Sequence, residues 1–241
     1  MMLARCLLFN VCFIAWALLS SVIFAPLFLT STAAAQRVGK PWALGSLWLA
    51  RIILGLRYEV RGQEYVKNGA FIYACKHQSA WDTIIFLVLF RRPAYVLKRE
   101  LLRIPGWGWY LWRMKMIAID RAAGAASIKQ MIKEAKEALA ARRPIVIYPE
   151  GTRTRPGAEV EYHPGTTALY SMLKVPVVPV ALNSGFYWGK DAFLKKPGTI
   201  IIEFLPAIEP GLSKEDFATT LKNTIETRSA SLLAEASNQR N

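Results

Sequence analysis

Histidine and cysteine are scarce in this chain, with two and three residues respectively among 241. Cys6 and Cys12 lie inside an apolar N-terminal run and no Cys-x-x-Cys spacing occurs, so a disulfide framework is excluded and a zinc site lacks ligands. There is no Gly-x-Ser-x-Gly elbow, and the one cysteine near a histidine, Cys75, ends an apolar strand-like run. Covalent catalysis through serine or cysteine therefore lacks its usual setting. Neither a metal nor a bound cofactor is expected. Acid is also in short supply: 17 Asp and Glu stand against 31 Lys and Arg, giving a net charge of +14. An anionic partner follows, and anionic lipid, acidic substrate and nucleic acid all qualify. Repeats and low-complexity tracts are absent.

Hydrophobic residues, by contrast, reach 53% and tryptophan numbers eight. The excess gathers at the N-terminus. Cys6 to Leu29 reads almost continuously apolar, and as a helix it spans ~36 Å, enough to cross a hydrocarbon layer of about 30 Å. Pro26 is expected to kink or end that helix near Phe24-Ala25. A second apolar stretch, Trp42 to Leu56, follows the polar link Gln36–Lys40; it carries Arg51 and is expected to lie in the interface or fold back as a hairpin. Ala33-Ala34-Ala35-Gln36 resembles a signal-peptidase site, yet the apolar region exceeds the 7–15 residues usual for a signal, which favours a retained anchor. Residues 1–56 are thus read as membrane-anchoring helices and 57–241 as a separate α/β domain.

Beyond Leu56 short apolar runs alternate with amphipathic segments. Strands are predicted over Arg57–Arg61, Phe71–Cys75, Ala94–Leu97, Met116–Ile119, Ile145–Tyr148, Val177–Ala181 and Thr199–Phe204. Runs such as Ile145-Val146-Ile147 suit strands covered on both faces. Ser127–Arg142 places Ile128, Met131, Ile132, Ala135 and Leu139 on one helical face, and Ser213-Lys214-Glu215-Asp216 opens a further helix. The fold class is α/β: a mixed, mostly parallel sheet flanked by helices and preceded by a helical anchor. The last five residues are expected to fray.

Four blocks can carry chemistry. His77-Gln78-Ser79-Ala80-Trp81-Asp82 directly follows a strand. Five residues on one helix diverge by ~140°, so His77 and Asp82 meet only if the histidine sits on the strand-to-helix loop and the aspartate in the first turn. Asp82 can then fix the imidazole tautomer. Equally, Ser79-x-x-Asp82 can be a capping box beside an exposed loop histidine. Ile119-Asp120-Arg121 closes another strand, where Arg121 can clamp a phosphate or merely form a surface turn. Tyr148-Pro149-Glu150-Gly151-Thr152-Arg153 combines a glycine allowing close backbone approach, whose N–H or a neighbour can serve an oxyanion, with a second cation; it can also be a polar turn. Val175-Pro176-Val177-Val178-Pro179-Val180 reads as a strand start that shapes a pocket. His163, in His163-Pro164-Gly165, is read as loop structure.

In order and spacing these blocks resemble the glycerophospholipid acyltransferase family, and its 1-acyl-sn-glycerol-3-phosphate acyltransferase branch in particular, over roughly residues 57–210. Lys98-Arg99-Glu100-Leu101 is similar to the basic segment that follows the family's first block. Departures are Lys76 for the usual asparagine, Ala118 for phenylalanine and Tyr148 for phenylalanine; Lys76, adjoining His77, is expected to lower its basicity. The resemblance implies direct transfer without an acyl-enzyme, the donor being acyl-CoA or acyl carrier protein and the acceptor the sn-2 hydroxyl of lysophosphatidic acid. His77 and Asp82 are the implied catalytic pair; Lys98, Arg121, Glu150, Gly151, Thr152 and Arg153 are the implied substrate-binding residues, with the backbone of Gly151 facing the oxyanion. Another lyso-lipid, such as a lyso-ornithine lipid, keeps the chemistry and changes the acceptor.

Between Arg91 and Arg121 eight cations are interleaved with Tyr95, Trp107, Trp109, Tyr110 and Trp112. That mixture suits lipid headgroup depth, and this segment is expected to dock on the membrane and line the way in for the lyso-lipid. Aromatic stacking in a basic groove would instead suit nucleic acid, but no nucleic-acid motif accompanies it. A non-catalytic basic tether is the rival from another class. The expected location is the inner (cytoplasmic) membrane, with the catalytic domain facing the cytoplasm and membrane phospholipid as its partner.

Overall fold

The computed structural model describes residues 1–66, 69–104, 106–190 and 192–238. Its first element, α1 (Met2–Leu29), retains Pro26 inside the helix rather than ending there. Proline removes one amide bond, but with apolar side chains on both sides a continued helix is the way to pair the remaining amides. The turn falls at Thr30–Ser31, and Ser31 caps α2 (Thr32–Leu49) by accepting the Ala34 N–H at 3.1 Å. The expected polar link at Gln36–Lys40 is therefore helical. Gln36 is buried and donates to the Met114 carbonyl at 3.3 Å, so a polar residue that reads as linker is satisfied inside the fold. A π-turn over Ala50–Leu54 carries α2 to Gly55, whose φ of 70° ends the helix in the left-handed region.

The two helices form a hairpin, as one of the two expectations for the second apolar stretch had it. Cys6 and Phe9 at the start of α1 are buried, and the Cys6 thiol donates to the Lys195 carbonyl and accepts the Lys195 N–H at 3.3 Å. Further along, Val11, Ile14, Leu18 and Val22 stand exposed. Met2–Leu27 is long and apolar enough to cross a membrane.

The remaining chain alternates β1 (Leu56–Arg61), β2 (Ile72–Cys75), α3 (Trp81–Leu89), β3 (Ala94–Lys98), α4 (Trp107–Arg113), β4 (Ile117–Ile119), α5 (Gly124–Ala140), β5 (Ile145–Ile147), α6 (Pro164–Leu173), β6 (Val177–Leu182), α7 (Ser184–Tyr187), β7 (Gly198–Phe204) and α8 (Lys214–Asn238). All seven expected strands are present, each with one end shifted by a single residue. They form one sheet in the order β1-β7-β6-β2-β5-β3-β4, parallel except for the antiparallel β6–β7 pair. Ile72 on the central β2 stands opposite Ile145 on one side and Val177 on the other. Ser237 and Asn238, expected to fray, end α8 as helix; residues 239–241 lie outside the described residues.

Alternation splits the core into two layers. Tyr73, Cys75, Val146, Val178 and Val180 share one core with α3 and the N-terminal hairpin, while Ile72, Ala74, Ile145, Ile147 and Val177 share another with α5, α6 and α8. Covering both faces explains why the central strands read as unbroken apolar runs.

Arg143, just before β5, is buried and donates to four carbonyls: Arg92 (3.2 Å), Pro93 (3.0 Å), Met114 (3.1 Å) and Lys115 (2.9 Å). Burial pushes its pKa down to about 10, so the charge is held by carbonyl dipoles. Arg143→Met is expected to destabilise the fold by about 3 kcal/mol, because the carbonyls of Arg92, Pro93 and Lys115 lose this donor and that of Met114 keeps only Gln36. Denaturation midpoints of the two proteins check this; equal midpoints would remove the residue from the structural account.

Candidate active site

The C-terminal ends of the parallel strands meet in one cavity of about 520 Å³. β2 stops at Cys75 and α3 begins at Trp81, leaving His77 on the intervening loop and Asp82 in the first helical turn. His77 Nδ1 lies 3.0 Å from Asp82 Oδ2. The same oxygen accepts the N–H groups of Gln78 (2.7 Å) and Ser79 (2.8 Å), while Oδ1 accepts the Ser184 hydroxyl at 2.5 Å. Thus Asp82 ties down the loop ahead of the helix and also holds the histidine; the helix's own N-cap, Ala80, has no side-chain cap bond, and His77 is not the exposed loop residue of the capping-box alternative. A carboxylate already accepting two amides and a hydroxyl has only acceptor sites to offer the ring, which assigns the ring proton to Nδ1 and leaves Nε2 its lone pair.

Further contacts immobilise the ring. Tyr148 stacks on it with centroids 4.0 Å apart and an interplanar angle of 23°, and the Tyr148 hydroxyl donates to the Asp82 carbonyl at 3.0 Å. The His77 carbonyl accepts the N–H of Thr154 (2.8 Å) and its hydroxyl (3.1 Å). Ser184 and Thr154 were not singled out from sequence. The only available signals were a polar residue just past an apolar strand and a threonine just past the third block.

Of the other expected site residues, Lys98, Arg121 and Gly151 line the cavity with His77. Lys98 is exposed and pairs with Glu100 at 3.3 Å. The Arg121 guanidinium donates to the Gly151 carbonyl, joining the second block to the third. Gly151 has φ +65°, and a Cβ there would lie 2.6 Å from His163 Cδ2, so glycine is required both by the backbone and by the neighbour. Its N–H is already bonded to the Tyr148 carbonyl at 2.9 Å, which removes it from the expected role at an oxyanion. Thr152 is exposed and Arg153 half-buried, and neither is among the described residues that line the cavity.

Glu150 departs from expectation most. Its buried carboxylate accepts the His77 N–H at 3.2 Å and sits 3.4 Å from Lys76 Nζ, behind the loop rather than in the cavity. A strut for the His77 backbone is the role this geometry gives it, in place of a ligand for a phosphate that a carboxylate would repel. Lys76 in turn is buried and reaches Glu226 on α8 at 2.6 and 2.7 Å, and Glu226 also accepts the Tyr162 hydroxyl at 2.9 Å. The ammonium is spent on two carboxylates, not left bare beside the imidazole as the sequence suggested. His163, read as loop structure, does stand in the loop at the N-cap position of α6, and it also lines the cavity.

Burial, outweighing Lys76 and the His77 N–H, raises the Glu150 pKa above the usual carboxylate range. The folded state therefore keeps a proton that the unfolded chain has released, and rising pH through that window favours unfolding. Thermal midpoints of the wild type should fall across it relative to Glu150→Gln. Parallel pH profiles for the two would contradict the assignment.

Comparison with known proteins gives this arrangement its class. Residues 57–183 match the model of the family described as Acyltransferase. The chain is 40% identical over 193 residues to the 1-acyl-sn-glycerol-3-phosphate acyltransferase of Pseudomonas aeruginosa, covering 80% of this chain and 74% of that one. It is 30% identical to the alpha 1-acyl-sn-glycerol-3-phosphate acyltransferase of Mus musculus, over 69% of this chain and 60% of that protein. The crystal structure of the 1-acyl-sn-glycerophosphate acyltransferase from Thermotoga maritima shares the fold, with a TM-score of 0.78 at 22% identity, covering 96% of this chain and 98% of that one. The chain belongs to the acyltransferase family and is an enzyme of the 1-acyl-sn-glycerol-3-phosphate acyltransferase type.

Proposed function

We propose that the enzyme moves a fatty acyl group from acyl-CoA or acyl carrier protein to the sn-2 hydroxyl of lysophosphatidic acid, giving phosphatidic acid. The observation that carries this reading is the His77–Asp82 contact of 3.0 Å at a cavity that also holds Arg121. His77 Nε2 takes the proton of the acceptor hydroxyl as its oxygen attacks the thioester carbonyl. The tetrahedral adduct collapses with loss of the thiolate, which the imidazolium reprotonates. Asp82 holds the ring and stabilises its positive charge. No step needs a metal or a bound cofactor. Away from His77 the cavity becomes apolar, between Phe24, Trp42, Trp107 and Leu111, which suits an acyl chain.

Membrane phospholipid is the surface on which this happens. The exposed apolar face of α1 and the exposed Trp107, Trp109 and Trp112 on or beside a basic segment fit the aromatic and cationic chemistry of a lipid interface. The enzyme is placed by this reading at the inner membrane, residues 1–56 anchoring and 57–241 facing the cytoplasm. Replacing the three tryptophans together by alanine should weaken partitioning onto anionic vesicles at least about tenfold, since each buries a large ring at the interface; unchanged partitioning would contradict the docking surface.

The acceptor is tested by incubating the purified enzyme with labelled acyl thioester and a panel of lysophosphatidic acid, lyso-ornithine lipid and monoacylglycerol. Label is expected in phosphatidic acid. Label confined to another product would overturn the assignment of the acceptor while leaving the chemistry.

A further inference from the structure

We infer that the first turn of α6 is a phosphate-monoester subsite in which His163 and Thr166, with Arg121, hold the head group of the acyl acceptor; this rests on the lysophosphatidic acid reading above. Thr166 lines the cavity, is 2% exposed, and its Oγ1 has no hydrogen-bond partner. A buried hydroxyl left unpaired at a cavity wall is costly unless a ligand completes it. The helix supplies further donors. α6 is ten residues long, Pro164 at its first position has no N–H, and the amides of Gly165 and Thr166 have no partner within the helix. His163 holds the capping position with its backbone N–H on the Pro149 carbonyl at 2.8 Å, and its side chain makes no cap bond. The imidazole is thereby available to the cavity that it lines.

Gly151 brings the cation to the same spot. A Cβ there would lie 2.6 Å from His163 Cδ2 and 3.3 Å from Arg121 Cζ, so the imidazole and the guanidinium pack against one bare backbone position. Amides, a hydroxyl, a ring N–H and a guanidinium at the positive end of a helix are the donor set a phosphate with three terminal oxygens requires. An acyl chain satisfies none of these groups. A phosphate of the thioester carrier has the same chemistry, and separate Michaelis constants for the two substrates distinguish the sources.

The experiment uses the full chain in detergent micelles, with Thr166→Val and His163→Ala, and with Thr166→Ser and His163→Gln as variants that keep a donor. Thermal shift by sn-glycerol 3-phosphate probes the subsite without turnover. Wild type should be stabilised by this probe and Thr166→Val much less so, whichever lyso-lipid proves to be acylated; absence of a shift in wild type would overturn the subsite. With lysophosphatidic acid, Thr166→Val and His163→Ala should each raise the acceptor KM about tenfold, the loss for one hydrogen bond to a charged group, with kcat and donor KM little changed. Thr166→Ser and His163→Gln should recover most of that loss. An unchanged acceptor KM, or a rise in donor KM instead, would overturn the inference.

Discussion

Replacing Asp82 by asparagine is expected to lower acyl transfer by about 10⁴-fold, the scale of losing the orienting carboxylate behind a catalytic imidazole. The geometry gives the reason. Asp82 accepts from His77 Nδ1, from two loop amides and from the Ser184 hydroxyl. An asparagine amide facing Nδ1 would donate to it, moving the ring proton to Nε2 and removing the lone pair that takes the substrate proton. The same orientation leaves the N–H groups of Gln78 and Ser79, which share that oxygen with Nδ1, unpaired at a cost of about 1–3 kcal/mol; turned the other way, the amide meets the Ser184 hydroxyl instead, and the neutral side chain no longer stabilises the imidazolium. Steady-state rates, read beside thermal midpoints, separate the two effects. Activity within tenfold of wild type would mean that the carboxylate only ties down the loop.

His77→Ala is the second large effect, with an expected loss of 10²–10⁴-fold, the usual worth of a general base. The ring is held on one face by Tyr148 and along its edge by Asp82, and its backbone by Thr154 and Glu150. Removing it takes away the base without touching the hairpin of α1 and α2 or the exposed tryptophans, so vesicle binding should persist. A variant that transfers acyl groups normally, or that no longer partitions onto membranes, would contradict this division of labour.

What the sequence made legible has a physical pattern. The seven strands could be read because a strand covered on both faces has no polar position to obscure it, as at Ile145–Ile147. The pairing of His77 with Asp82 could be read because a strand-to-helix turn is short and leaves one geometry that closes. Strand order was not legible: β1 joins β7 across most of the domain, and nothing local marks β6–β7 as the antiparallel pair. The start of α2 was hidden because Gln36, Arg37 and Lys40 look like linker until Met114 is known to receive Gln36. Glu150 was misplaced for the same kind of reason. Its partner Lys76 is adjacent to His77 in sequence, but the cation is drawn to Glu226, 150 residues away, and the carboxylate follows it behind the loop. Ser184 and His163 come from segments far along the chain, so only tertiary structure brings the first to Asp82 and the second to the cavity.

A single-turnover experiment bears most directly on direct transfer with His77 as base. Wild-type enzyme is mixed with labelled acyl thioester, quenched in acid before and after lysophosphatidic acid is added, and both protein and lipid are counted. The expected result is no label on the protein at either time, label in phosphatidic acid only after the acceptor arrives, and a rate at least about 10²-fold lower in His77→Ala. Label bound to the protein that chases into lipid, or an unslowed His77→Ala, would contradict it.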